Sequence, residues 1–357
     1  MDSSLPTLDD VMASPAGQKF RDAESQLTLT PKHIASWVRR QARHTDALGL
    51  SVACGGHFIT LGAGRRVWTI FPPKPITGSE PVAEAIVICH PSMNGMDPHH
   101  FYKGLATCLV TGKPVFMIPA STRLSPWRLP KWQQGNYLGY IGTCLLDFVR
   151  EAISRQKYIT FADKLRLHLQ GWSQGGTLAL AMAGSLKMRS SLNFEVGSLV
   201  VGGLPNVKER GRRELFRDVS SVGFMDYVAT GQLNGQMYTS LHCPNGTPDL
   251  LGTLRMNAKL FGDIVATWRD NLPLHEAFRH ASLGQQLVDL SAETLKRTVI
   301  VSANNDPVSP ASWVYRHVKD ASDFLPRANL LRVEGTHTFG EVIPWPFFAA
   351  DQVGLII

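Results

Sequence analysis

Cysteine is scarce in this chain and never paired at close spacing. Cys54, Cys89, Cys108, Cys144 and Cys243 are scattered through 357 residues without a CxxC. An odd, dispersed set speaks against a disulfide framework or a zinc ribbon and favours a reducing compartment. Cys89, Cys108 and Cys144 lie in apolar segments and are expected as buried thiols. Long hydrophobic runs are missing too. None approaches the roughly 18 apolar residues of a membrane span, so no transmembrane segment is expected. The start, Met1-Asp2-Ser3-Ser4-Leu5, has no basic region ahead of an apolar core. No secretory signal is expected there, and the protein is expected in the cytoplasm. Internal repeats and low-complexity stretches are absent. Charged residues make up only 18 % against 44 % hydrophobic, the balance of a globular chain with a large core. The net charge of +7 comes from scattered basic residues. The one short group, Lys208, Arg210, Arg212 and Arg213, has no interleaved aromatics. It reads as a solvated helix face, so no nucleic-acid partner is expected.

Metal and dinucleotide signatures fail as well. His275 and His280 are five residues apart, not the four that HExxH requires, and His99-His100 has no partner cluster. Gly62-x-Gly64 lacks the third glycine of a dinucleotide loop. No metal and no organic cofactor is expected.

The most informative stretch runs from Leu165 to Lys187. Leu165, Leu167 and Leu169 alternate with polar residues, the period of a strand. Thr177–Lys187 sets Leu178, Ala179, Met182, Ala183 and Leu186 on one helical face. Between them lies Gly171-Trp172-Ser173-Gln174-Gly175-Gly176, which contains GxSxG. A turn this sharp strains the backbone at its serine and crowds strand against helix, so flanking glycines are favoured. It lifts the Ser173 hydroxyl above the sheet edge and sets the N–H of Gln174 beside any carbonyl under attack.

Taken in order, residues 1–45 read as an extension, polar at first and helical around His33–Arg43. Ser51–Thr60 and Arg66–Phe71 predict a hairpin joined at Gly62-Ala63-Gly64. Ala85–Cys89, Pro114–Pro119 and Gly197–Val201 predict strands, with helices at Phe101–Leu109 and Tyr140–Arg155. The continuous apolar run Ala85–Cys89 is that of a parallel strand covered on both faces, and it delivers His90-Pro91-Ser92-Met93-Asn94-Gly95 at its end. The βα alternation then stops until Thr298–Ser302. Arg212–Val219, Thr253–Asn271 and Leu274–Leu290 read as helices, predicting a helical cap inserted after the sixth strand. The expected division is 1–45 extension, 46–205 first part of the core, 206–295 cap and 296–357 second part of the core. The fold class is α/β, a mostly parallel sheet with helices on both faces.

An acid and a base follow the elbow in order. Asp306 sits at the exit of the strand Thr298–Ser302, where it can orient a histidine; the competing role is a helix cap for the helix beginning near Ser312. His337 follows the last strand, Leu330–Val333, among small residues. Of the 12 histidines, only His337 completes the chain order Ser…Asp…His; His317 and His280 sit on predicted helices and His57 on an early strand. Glu334 and Glu341 flank His337 and are the alternative acids.

With these residues in place, the chain resembles the α/β-hydrolase superfamily over about residues 50–205 and 296–345. Its Ser173-Gln174-Gly175-Gly176 segment is similar to the elbow of carboxylesterases and acyl-protein thioesterases. A fainter likeness, carried by Gly175-Gly176-Thr177-Leu178 and by the cap segment Met256-Asn257 through Asp289-Leu290-Ser291, is to polyhydroxyalkanoate synthase and depolymerase relatives. The resemblance implies a serine hydrolase of acyl esters. Ser173 is then the nucleophile, His337 the base and Asp306 its orienting acid. Gln174 and Ser92 become the oxyanion donors, with Met93 the neighbouring alternative to Ser92. Pro91 stands where those families usually carry glycine. Met93, Trp172, Met256 and Phe261 are the expected substrate contacts, and the partner is a small-molecule acyl ester or thioester. Acyl transfer or thioester hydrolysis by the same triad, and a non-catalytic binding module on the same fold, are the alternatives.

Overall fold

Short β-branched and leucine-rich runs flanked by turn residues build a central sheet. The strands are β1 (Gly55–Thr60), β2 (Arg66–Phe71), β3 (Val82–Cys89), β4 (Val115–Ile118), β5 (Phe161–Trp172), β6 (Phe194–Gly202), β7 (Thr298–Ala303) and β8 (Leu330–Val333). They lie in the order β1-β2-β4-β3-β5-β6-β7-β8. β2 pairs antiparallel with β1 and β4, and every later pair is parallel. This computed structural model describes residues 5–26, 55–60, 66–72, 80–89, 98–118, 137–156, 159–188, 193–205, 214, 283–319, 329–341 and 344–357. Helices among them are α1 (Leu8–Ala13), α2 (Pro15–Gln26), α3 (Pro98–Thr111), α4 (Tyr137–Arg155), α5 (Gln174–Met188), α6 (Leu283–Val288), α7 (Ala292–Lys296), α8 (Ala311–Lys319) and α9 (Trp345–Gln352). None is long and apolar enough to cross a membrane.

Two cores cover the two sheet faces, as parallel strands require. On one face Val87, Leu167, Leu169, Leu199 and Ile300 pack beneath Leu145 and Val149 of α4, Leu178 and Met182 of α5, and Val314 of α8. On the other, Trp172, Val200, Val299, Val301 and Val333 meet Val11, Trp345 and Phe348. Residue parity decides which core each side chain joins. A bulge changes that parity in β6: Leu167 pairs with Val196 but His168 with Ser198, leaving Gly197 as the extra residue. Val196, Leu199 and Val201 consequently share one face.

The chain passes from β3 out to β4, then returns to the far side of β3 as β5. That reversal makes a crevice at the C-terminal ends of β3 and β5, where Cys89 lies opposite Gly171. The fold therefore delivers the β5 turn to the sheet's natural binding edge.

The predicted hairpin and parallel strands match these elements closely. Three features differ. The polar opening segment contains α1 and α2, and α1 is started by a Thr7–Asp10 capping box. The predicted helix at His33–Arg43 lies outside the described residues, as do that at Thr253–Asn271 and, apart from the helical Glu214, that at Arg212–Val219. The expected division set residues up to 295 in a cap; Leu283, Leu287, Leu290 and Leu295 are buried in the same core as α5 and α8. Cys89 and Cys108 are buried as expected, whereas Cys144 is only half-buried.

The alternation within β5 also hides a buried polar pair, because both faces of this strand are covered. His168 and Gln170 are each 3 % exposed. The His168 ring has Nδ1 2.9 Å from the Ser198 hydroxyl. Its Nε2 lies 3.6 Å from a Glu84 oxygen, too long for a hydrogen bond. Burial, reinforced by the charge of Lys113 and opposed by that of Glu84, pushes this histidine down to about 4. The ring is neutral at pH 7. In the unfolded chain it takes up a proton near its ordinary value of about 6.5, before the folded form does. The stabilisation is thus complete above about pH 6.5 and is lost as pH falls toward about 4. His168→Gln, which keeps polar atoms but cannot protonate here, should flatten the fall in urea midpoint between those values. An unchanged pH dependence in the variant would refute this role.

Candidate active site

The turn after β5 is held by its own backbone. Ser173 has φ of 56°, in the left-handed region that β-carbon crowding disfavours. Such a residue costs of order 1–3 kcal/mol and persists only when its surroundings fix it. Its N–H donates to the Gly202 carbonyl at 2.9 Å, and its own carbonyl accepts from the N–H groups of Gly176 and Thr177. The strand ladder thus passes directly into the first turn of α5. A β-carbon on Gly171 would lie 2.3 Å from the Gly175 carbonyl oxygen, all surrounding atoms being backbone. Gln174 opens α5, where a helix leaves its first N–H groups without intrahelical partners. The residue is 7 % exposed, and among the described residues its buried Oε1 has no hydrogen-bond partner.

Asp306 and His337 come together from the exits of β7 and β8. The strand ladder continues past both ends: Asn304 N–H donates to the Val333 carbonyl and Asn305 N–H to that of Gly335. Asp306 Oδ2 then lies 2.7 Å from His337 Nδ1. Asp306 Oδ1 accepts from the N–H groups of Val308 at 2.8 Å and Ser309 at 2.9 Å. The carboxylate side chain is fully buried, while the imidazole is 15 % exposed. With both Asp306 oxygens accepting, Nδ1 of His337 is the donor, and Nε2 is left as the basic nitrogen. Asp306 does not take the helix-cap role weighed for it: Val308 and Ser309, whose N–H groups it accepts, precede α8, which starts at Ala311. Glu334, weighed as an alternative acid, accepts from Asn304 and Asn305 on the exposed side. The side chain of Glu341 lies outside the described residues. His337 does not sit on a loose loop; it opens a short 3₁₀ turn, His337–Glu341.

Trp172 links the two halves of this arrangement. Its indole N–H donates to the His337 carbonyl at 2.6 Å, and the two rings are 6.2 Å apart. Trp172 was expected to contact substrate; instead its side chain is 3 % exposed and belongs to the second core. The residue number explains the difference, since Trp172 has the parity opposite to Leu167 and Leu169 and points under the sheet. Sequence reasoning also missed Lys103, whose ammonium donates to the Gly340 carbonyl at 2.6 Å from a buried position. A solitary lysine inside the apolar helix Phe101–Leu109 was the available signal. Ser92, Met93, Met256 and Phe261 lie outside the described residues. At the end of β3, Cys89 is fully buried, which pushes its thiol up to about 12. It therefore stays protonated and is no rival nucleophile at neutral pH. Among the described residues no cluster of three or more His, Cys, Asp or Glu side chains could hold a metal ion.

Chemically, a strained serine at a binding crevice shares the sheet edge with a histidine whose second nitrogen is held by a buried carboxylate. Those are the parts of a nucleophile–base–orienter system. No protein-family model matches this chain, and no curated protein matches it. Solved structures do. A protein of Acinetobacter baumannii provisionally named a lipase is 13 % identical, covering 91 % of this chain and 95 % of its own, with a TM-score of 0.50. An α/β-hydrolase enzyme from a Medee basin deep-sea metagenome library is 12 % identical, covering 84 % and 96 %, at 0.47. An esterase of Pyrococcus furiosus is 12 % identical, covering 85 % and 91 %, at 0.44. At such identities the likeness is one of architecture. The match at 0.50, taken with the strand order β1-β2-β4-β3-β5-β6-β7-β8, gives the chain the α/β-hydrolase fold.

The close approach at the turn has a direct test. Gly171→Ala forces a β-carbon against immovable backbone and should destabilise the protein by about 1–3 kcal/mol. Gly184→Ala, inside α5 where the nearest heavy atom is 3.8 Å away, should stabilise it by about 0.5–1 kcal/mol. Equal urea midpoints for the two variants would contradict the packing described.

Proposed function

We propose that this protein is a serine-dependent hydrolase of carboxylic esters, working through an acyl-enzyme. The observation that carries the reading is the 2.7 Å hydrogen bond between Asp306 and His337, whose backbone carbonyl is held in turn by Trp172, the residue that precedes Ser173. In this reading Ser173 Oγ attacks the acyl carbon as His337 Nε2 takes its proton. Asp306 holds the imidazole in the tautomer that leaves Nε2 basic, and stabilises the imidazolium once formed. Negative charge develops on the former carbonyl oxygen. The N–H of Gln174 at the start of α5 is one donor to it, and Ser92, or Met93 beside it, supplies the second. The imidazolium then gives its proton to the leaving alkoxide, releasing the alcohol and leaving Ser173 acylated. Water, deprotonated by His337, attacks the acyl-enzyme and releases the acid.

Hydrolysis of p-nitrophenyl acyl esters tests the assignment residue by residue. Ser173→Ala should reduce turnover to the uncatalysed background. Asp306→Asn should lower kcat by roughly 10³–10⁴ because the imidazole loses the acceptor that sets its tautomer. Glu334→Gln should keep nearly all activity. Loss in the Glu334 variant with retention in Asp306→Asn would reverse the identity of the acid. Full activity in Ser173→Ala would discard the nucleophile.

A further inference from the structure

The turn that carries His337 is held by more than its own backbone. His337–Glu341 is a five-residue 3₁₀ segment, longer than such turns usually run on their own weak hydrogen bonds. At its start the segment is tied to its flank by Phe339 N–H, which donates to the Thr336 carbonyl at 3.1 Å. Two side-chain donors from distant elements take the carbonyls near its ends. The Trp172 indole N–H bonds the His337 carbonyl at 2.6 Å, and the Lys103 ammonium bonds the Gly340 carbonyl at 2.6 Å.

The chain is also pressed flat on the indole. A β-carbon on Gly340 would come within 2.0 Å of Trp172 Cγ, and one on Gly203 within 2.4 Å of its Nε1. The ring stands edge-on to Trp345 at 5.0 Å and tilted to Phe339 at 6.0 Å. It therefore has one available orientation. A tryptophan filling space needs only its ring volume; this one aims its N–H at the backbone of the histidine itself. Likewise, an ammonium buried to 6 % exposure is costly unless acceptors take its protons, and Gly340 supplies one.

We propose that Trp172 and Lys103 are positioning residues that clamp the His337 turn from both ends and so set where the imidazole stands. The proposal rests on the hydrolase reading above for its kinetic consequence, but the clamp itself is structural. An imidazole carried on a loosened turn still meets substrate, yet less often in reactive alignment, so the loss falls on kcat.

Trp172→Phe keeps an aromatic ring, though a smaller one, and deletes the N–H; Lys103→Met keeps the stem and deletes the ammonium. Each should lower kcat about tenfold with KM changed less than about twofold, the effect of losing one directed hydrogen bond. Lys103→Arg, which retains a donor, should recover most of that loss. A readout independent of turnover is the low-field proton resonance of His337 Nδ1–H, identified by its absence in His337→Gln. It should be sharp in the wild type and broadened in both clamp variants. Wild-type kcat and an unchanged resonance in Trp172→Phe and Lys103→Met would overturn the proposal, even with a lowered Tm, because that pattern belongs to simple core filling. Should the wild type hydrolyse no ester, the resonance still decides the clamp while the hydrolase reading fails separately.

Discussion

One backbone conformation governs this molecule: Ser173 held at φ of 56° between a strand and a helix that nearly touch. The hydrogen bond from its N–H to Gly202 keeps it in the sheet, and the bonds its carbonyl accepts make it the root of α5. Nothing larger than hydrogen fits at Gly171 while that geometry stands. Because β5 lies where the strand order reverses, the same turn lands at the crevice of the sheet. Strain of a kilocalorie or so is sustainable here only because buried leucines on one face and aromatics on the other over-determine the backbone.

The second half of the site is organised by accounting for polar groups. A fully buried carboxylate is tolerable when its lone pairs are used, and Asp306 uses both oxygens. One oxygen fixes the turn through Val308 and Ser309; the other fixes the tautomer of His337. The carboxylate thereby converts the rigidity of its own turn into the orientation of a ring on a different loop. Trp172 carries the coupling back to the elbow, so that the last residue of β5 anchors the histidine and the next is Ser173.

Much of this was legible in the residues themselves. Continuous apolar runs such as Thr298–Ser302 announced strands covered on both sides, and the order of Ser173, Asp306 and His337 picked one histidine from many. Periodicity failed where it could not see the third dimension. Leu165, Leu167 and Leu169 suggest that His168 and Gln170 face a different environment, yet both faces of a central strand are buried. Trp172 looked like a pocket residue beside the serine, although counting parity along β5 sends it beneath the sheet. α1 escaped notice because its apolar face is a single buried Val11, even though Thr7 and Asp10 spelled its start. Leu283, Leu287, Leu290 and Leu295 carry a helical pattern that serves a cap and a core equally well, and the structure buries them with α5 and α8.

The account stands or falls on whether Ser173 is made nucleophilic by the His337–Asp306 pair. Reaction with a fluorophosphonate, followed by peptide mass mapping, tests that most directly, since the reagent captures serines activated by a neighbouring base. One adduct per chain is predicted, on the peptide containing Ser173, and His337→Gln should abolish it while remaining folded. An adduct on another residue, or none on the folded wild-type protein, would contradict the account.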